Sequence, residues 1–208
     1  MKRIVGLFVC MLLITTLLPI SVMAGDEAHP EISDITGDAR RSVDIKEAWF
    51  FEDQATPEYL YVTIQVVKLR TLYYGSILHD VLWTMNDVDY ITYSGVGIYM
   101  LLILHRNDFW AGVNRAYPNN GSVINGTLNL MKGTITYKIP KSAIGNPQPG
   151  DVLTKTNAWA SQRTPLMEWI GWDAMVRNWA FGRFGLNTML LSDHAPDTGY
   201  GSDYTILY

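Results

Sequence analysis

The sequence predicts an all-β fold, an antiparallel β-sandwich of jelly-roll type, and three observations lead there. Apolar residues recur at every second position in several short runs, the period of a strand with one buried face. Clusters of Asn, Asp, Gly and Pro separate those runs. Helical spacing of apolar residues is confined to one segment of the exported part. The 208 residues, 48% apolar and 17% charged, exclude a disordered or collagenous chain and suffice for one domain with a sizeable core.

Residues 1–24 carry the marks of a secretory signal: Lys2 and Arg3, the apolar run Ile4 to Ile20, and the ending Val22-Met23-Ala24. Cleavage before Gly25 is expected. Retention of the run as a membrane anchor is the competing outcome, because its length approaches that of a bilayer span. Either outcome places a single domain, residues 25–208, outside the cytoplasmic membrane, secreted or at the cell surface. The membrane is reached only through an uncleaved signal. The one cysteine, Cys10, lies inside this segment, so the exported part is expected to hold together without disulfides. Loss of residues 1–24 removes Lys2 and Arg3 but no acidic residue, which takes the net charge from −4 to −6. An acidic surface argues against nucleic acid as a partner.

The first strand pattern after the signal is Val43, Ile45, Trp49 and Phe51, with Glu47 interrupting it. Leu60, Val62, Ile64 and Val66 give the cleanest alternation. Further strands are expected at Val81 to Met85, Val88 to Tyr93, Ile98 to His105, Trp110 to Arg115, Gly133 to Ile139 and Val152 to Trp159. Turns are expected at Asn86-Asp87, Ser94-Gly95, Asn107-Asp108, Asn119-Asn120-Gly121 and Pro147 to Asp151. Ile98 to Leu104 is apolar on both faces, which predicts a strand central in its sheet.

The helical segment follows Pro165, where Leu166, Met167, Trp169, Ile170, Trp172, Met175, Val176 and Trp179 recur at intervals of three and four. It predicts a short helix or lid near residues 165–180. Its tryptophans either close one end of the core or form an aromatic platform for a sugar ring. On the second reading Trp169 and Trp172, with Tyr73 and Tyr74, are the candidate ligand-binding residues.

Carboxylates gather near both ends of the exported part: Glu31, Asp34, Asp38 and Asp44 in one set, Asp193, Asp197 and Asp203 in the other. Each set contains glycine and can turn tightly. Ca2+ takes six to eight oxygen ligands from carboxylates, carbonyls and water. If the first and last strands pair, the sets meet at one pole, and Asp34, Asp38, Asp193, Asp197 and Asp203 are the candidate Ca2+ ligands. The alternative is that they cap turns through Asx hydrogen bonds.

Asp34-Ile-Thr-Gly-Asp38, Val43-Asp44-Ile45-Lys-Glu-Ala-Trp49-Phe50 and Leu60-Tyr-Val-Thr-Ile-Gln-Val together resemble the start of exported prokaryotic β-sandwich domains of the DOMON-like and family 9 carbohydrate-binding-module-like superfamily. The stretch from Ile139-Pro140 to Asp151-Val-Leu and the ending from Asp193 to Asp203-Tyr are similar to later parts of that pattern. The resemblance implies a sandwich that binds sugar, haem or calcium, or that serves as a surface domain. Its haem-binding members use a methionine with a histidine or lysine as axial ligands. Here His79, His105, Met85 and Met100 are the residues of those types in or near predicted strands.

Catalysis finds little in the sequence. It contains no Gly-x-Ser-x-Gly elbow, His-Glu-x-x-His, phosphate loop or dinucleotide fingerprint. His194 stands between Asp193 and Asp197 with no nucleophile placed beside it. The expected function is therefore a non-enzymatic surface or ligand-binding module, carbohydrate-binding and calcium-stabilised, whose partner is a carbohydrate or another cell-surface component. A haem-binding electron-transfer domain is the alternative. Asn120-Gly-Ser122 and Asn125-Gly-Thr127 are glycosylation sequons in a predicted loop.

Overall fold

The computed structural model describes residues 25–70, 75–99, 104–114, 121–163 and 192–208. They form an all-β sandwich of two antiparallel sheets. The smaller contains β1 (Ile32–Ser33), β2 (Ile45–Phe51), β3 (Tyr59–Val66), β8 (Asn125–Asn129) and β9 (Thr134–Pro140), in the order β1-β2-β3-β9-β8. The larger contains β4 (Gly75–Met85), β5 (Val88–Tyr99), β6 (Leu104–Val113), β7 (Gly121–Val123), β10 (Val152–Arg163) and β11 (Ser192–Ala195), in the order β11-β10-β4-β5-β6-β7. A last short strand, β12 (Tyr204–Thr205), pairs with the start of β10. The segment near residues 165–180 lies outside the described residues, as do residues 1–24.

Alternation decides which residues fill the space between the sheets. On β3 the predicted set Leu60, Val62, Ile64 and Val66 faces inward, and Ile135, Tyr137 and Ile139 of β9 join it. From the larger sheet come Ile77, Val81, Trp83 and Met85 of β4 and Phe109 and Ala111 of β6. Aromatic contacts tie the layers. Phe50 meets Trp83 edge-on at 5.6 Å between ring centroids, and Phe109 meets Tyr137 edge-on at 6.0 Å. A polar tie runs beside them, where the Tyr137 hydroxyl donates to the His79 carbonyl at 2.7 Å.

The predicted face of β2 is corrected. Ile45, Ala48 and Phe50 point into the core, whereas Phe51 stacks on Tyr61 on the outer surface, with ring centroids 4.9 Å apart. The cause is a β-bulge between Ile45 and Glu47, which inverts the alternation downstream and explains the interruption at Glu47.

Three more expectations change in the larger sheet. Ile98 to His105 is not one central strand, because Ile98 pairs with His105 and Tyr99 with Leu104 across an antiparallel hairpin. A run apolar on both faces reads the same whether it continues or folds back. Ser94-Gly95 lies inside β5 and Asn107-Asp108 inside β6, so neither is a turn. Flanking pairings carry both dipeptides through the sheet despite their composition. By contrast, Asn86 and Asp87 do form the two-residue β4–β5 turn, with φ of 50° and 62°, the geometry of a type I′ hairpin.

Candidate functional site

Two features face away from the core: a cleft on the outer surface of the larger sheet, and an acidic group where β2 meets β11. The cleft owes its side chains to a second bulge. The β10–β4 register shifts between Thr154 and Asn157, so that Leu153 and Thr156 are both buried with two residues between them. Beyond the bulge Ala158 and Ala160 pack inward and Trp159, between them, projects outward with 40% of its surface exposed. Trp159 pairs across the strands with His194, and their ring centroids lie 4.2 Å apart. The indole N–H donates to Asn157 Oδ1 at 3.1 Å, which fixes the ring's orientation.

The opposite rim is supplied by β4, β5 and the end of β6. Asp89 accepts a hydrogen bond from the Thr84 hydroxyl at 2.9 Å, and Asn114 and Lys155 complete the polar lining. Tyr200, 60% exposed, closes the cleft from the C-terminal loop. That loop is held by two backbone bonds, Gly201 N–H to the Thr156 carbonyl at 2.8 Å and Ser202 N–H to the Glu31 carbonyl at 2.8 Å. Gly201 packs so closely on Glu31 and Thr156 that a β-carbon there would collide with both. The cleft measures about 510 Å3, within the range of small-molecule sites. Burial holds the His194 imidazole below its ordinary pKa against the pull of Asp193 and Asp197, which favours the neutral ring.

At the acidic edge, oxygens of Asp38, Asp44 and Asp193 lie within 4.8 Å of one another. Asp44 and Asp193 are buried and Asp38 is exposed. Backbone donors orient the buried pair. Gly37 N–H reaches the Asp44 carboxylate at 3.0 Å, and Asp193 Oδ2 accepts from Ile45 N–H at 2.7 Å across the gap between the sheets. Burial raises the pKa of both carboxyls, and the charge of Asp38 raises them further. Asp34 joins electrostatically: burial first, then Asp193, Asp197 and Asp38, pushes its carboxyl up to about 6.

Of the candidate ligands the structure brings Asp38 and Asp193 together and adds Asp44, while Asp34 feels the charges of Asp193, Asp197 and Asp38. Asp203 is exposed and is not among the three carboxylates that converge. The sets meet without pairing of the first and last strands, since β1 pairs with β2 and β12 with β10. Trp169, Trp172, Tyr73 and Tyr74 lie outside the described residues, as does Met100. His79 is fully buried on β4, its Nε2 3.3 Å from the Ser42 carbonyl. Met85 sits six positions along the same strand, about 20 Å away at the usual rise, so these two cannot clamp one iron. Asn125 and Thr127 are exposed on edge strand β8 rather than in a loop, because their stretch pairs with β9.

Sequence reasoning passed over Trp159 and Tyr200. The available signal was Ala158-Trp159-Ala160, in which two small inward residues force the large one onto the other face. No protein-family model matches the chain, and neither a curated protein nor a solved structure matches it.

Proposed function

We propose that this chain is an exported, non-catalytic β-sandwich module that binds carbohydrate in the outer cleft and is stabilised by Ca2+ at the acidic edge. The observation that carries the reading is the exposed Trp159 face, oriented by Asn157 and set beside Tyr200 in a cleft with polar rims. Sugar rings present apolar C–H faces to aromatic rings and hydroxyls to amide and carboxylate groups, and this lining offers both. The resemblance to the carbohydrate-binding-module-like superfamily points the same way. The Ca2+ part rests on Asp38, Asp44 and Asp193, whose converging carboxylates supply the hard oxygen ligands that ion prefers.

The test is a glycan array and affinity electrophoresis with the wild type and Trp159→Ala. The wild type is expected to retain at least one glycan class, and the variant to bind it about tenfold or more weakly, as for removal of a central aromatic anchor. Circular dichroism of the variant should remain that of a β-sandwich. Failure of the wild type to bind any glycan, or equal binding by the variant, refutes the reading.

A further inference from the structure

Four non-glycine residues among those described have positive φ: Asn86, Asp87, Asn146 and Lys155. Asn and Asp tolerate the left-handed region because their short polar side chains bond locally. Lys155, with φ of 52°, has no such excuse. It occupies the β10 bulge, a position where glycine would sit without strain, yet the chain places a long cationic side chain there. That side chain is exposed, lines the cleft, and among the described residues has no carboxylate within ion-pair distance. Strain, location and a charge without an ion-pair partner among the described residues coincide at one residue, and strain retained at a recognition surface is a pointer to function.

We infer that the cleft takes an acidic sugar, a glycan containing uronic acid, and that Lys155 binds its carboxylate while Trp159 stacks on the ring. The inference rests on the carbohydrate reading of the same cleft. An ammonium is a compact point charge with three donors, suited to a carboxylate whose orientation varies between linkages. Asp89 has one oxygen engaged by Thr84, and its other oxygen serves a ring hydroxyl on the far side, which separates the two charges of the site by function. The methyl ester of the same sugar would keep every hydroxyl and lose only the anion.

The experiment is calorimetric titration of the protein with tetragalacturonate and a glucuronate-containing tetrasaccharide, each alongside its methyl ester. At least one acid should bind about tenfold or more tightly than its ester, and the difference should shrink as salt is added. Lys155→Met should reduce acid binding to the level of the ester, whereas Lys155→Arg should stay within about threefold of the wild type. Lys155→Gly should lose the acid preference while melting at or above the wild-type temperature, because it relieves the backbone. Equal binding of acid and ester, or an unchanged Lys155→Met, overturns the acidic specificity. If neutral glycans still bind through Trp159 in that case, the carbohydrate reading stands alone. If neither acidic nor neutral glycans bind, both fall.

Discussion

Removing the Lys141 ammonium should destabilise this domain more than most surface or loop substitutions. Lys141 opens a 3-10 turn after β9, and its Nζ lies 2.6 Å from Glu52 Oε1 and donates to the Tyr208 carbonyl. Glu52 has a fully buried side chain and Lys141 is 6% exposed. The other Glu52 oxygen accepts from Leu207 N–H at 2.6 Å and from the Tyr204 hydroxyl at 3.3 Å. At 2.6 Å and an effective dielectric of 20, the gross attraction is about 6 kcal/mol, which largely offsets the desolvation of two ions. Lys141→Met leaves the Glu52 carboxylate buried and unpaired, a loss of about 3–5 kcal/mol. For a domain of this size each kcal/mol moves Tm by about 2–4 °C, so the drop should be about 6–20 °C. Glu52→Gln combined with Lys141→Met should recover most of it, since the amide oxygen still accepts from Leu207 N–H without carrying charge. Scanning calorimetry and urea titration at pH 7 measure both variants. A loss under about 1 kcal/mol for Lys141→Met, or a double variant no more stable than the single, would show that the pair does not anchor this end of the sandwich.

Two further outcomes are expected. Millimolar CaCl2 should raise Tm and chelator should reverse the rise, with a gain of about 2.7 kcal/mol at a hundredfold excess over Kd; Asp38→Asn should diminish it, and indifference to both additions would refute Ca2+ binding. Burial holds the folded His79 imidazole down at about 4 from an ordinary 6.5, so the unfolded state binds the proton first and this residue weakens the fold as pH falls from about 6.5 towards 4. The full effect is about 3 kcal/mol, and His79→Leu should flatten that part of the pH–stability curve; parallel curves for wild type and variant would refute it.

The sequence made the alternation of β3 and the Asn86-Asp87 hairpin legible because both signals are local: period two in one case and backbone preference in the other. It concealed the face of β2, since a bulge at Lys46 leaves no reliable mark in composition while inverting everything beyond it. The hairpin inside Ile98 to His105 was hidden for a different reason, its apolar run fitting a continuous strand equally well. At the acidic edge the approach of Asp38 to Asp193 could be anticipated from two clusters near the chain ends. The importance of Asp44 could not, because it depends on how the start of β2 stands against β11. Trp159 and Tyr200 share one cleft only through the Gly201 and Ser202 bonds to distant strands, a relation no local pattern encodes.

Ile124 alone connects β7 in one sheet to β8 in the other, buried and with its N–H bonded to the Phe109 carbonyl at 3.0 Å. Mechanically, that single residue is the spine of a book whose covers are the two sheets. The covers are covalently tethered there, whereas at the opposite fore-edge they are held by hydrogen bonds, Asp193 clasping Ile45 and Ser202 clasping Glu31. The first clasp is one hydrogen bond to a carboxylate within the acidic group, and in the second the Ser202 N–H and hydroxyl both donate to the Glu31 carbonyl. Of the two clasps only the Asp193 one depends on a titratable group, so protonation of that edge bears on the β2–β11 side and leaves the Ile124 side untouched.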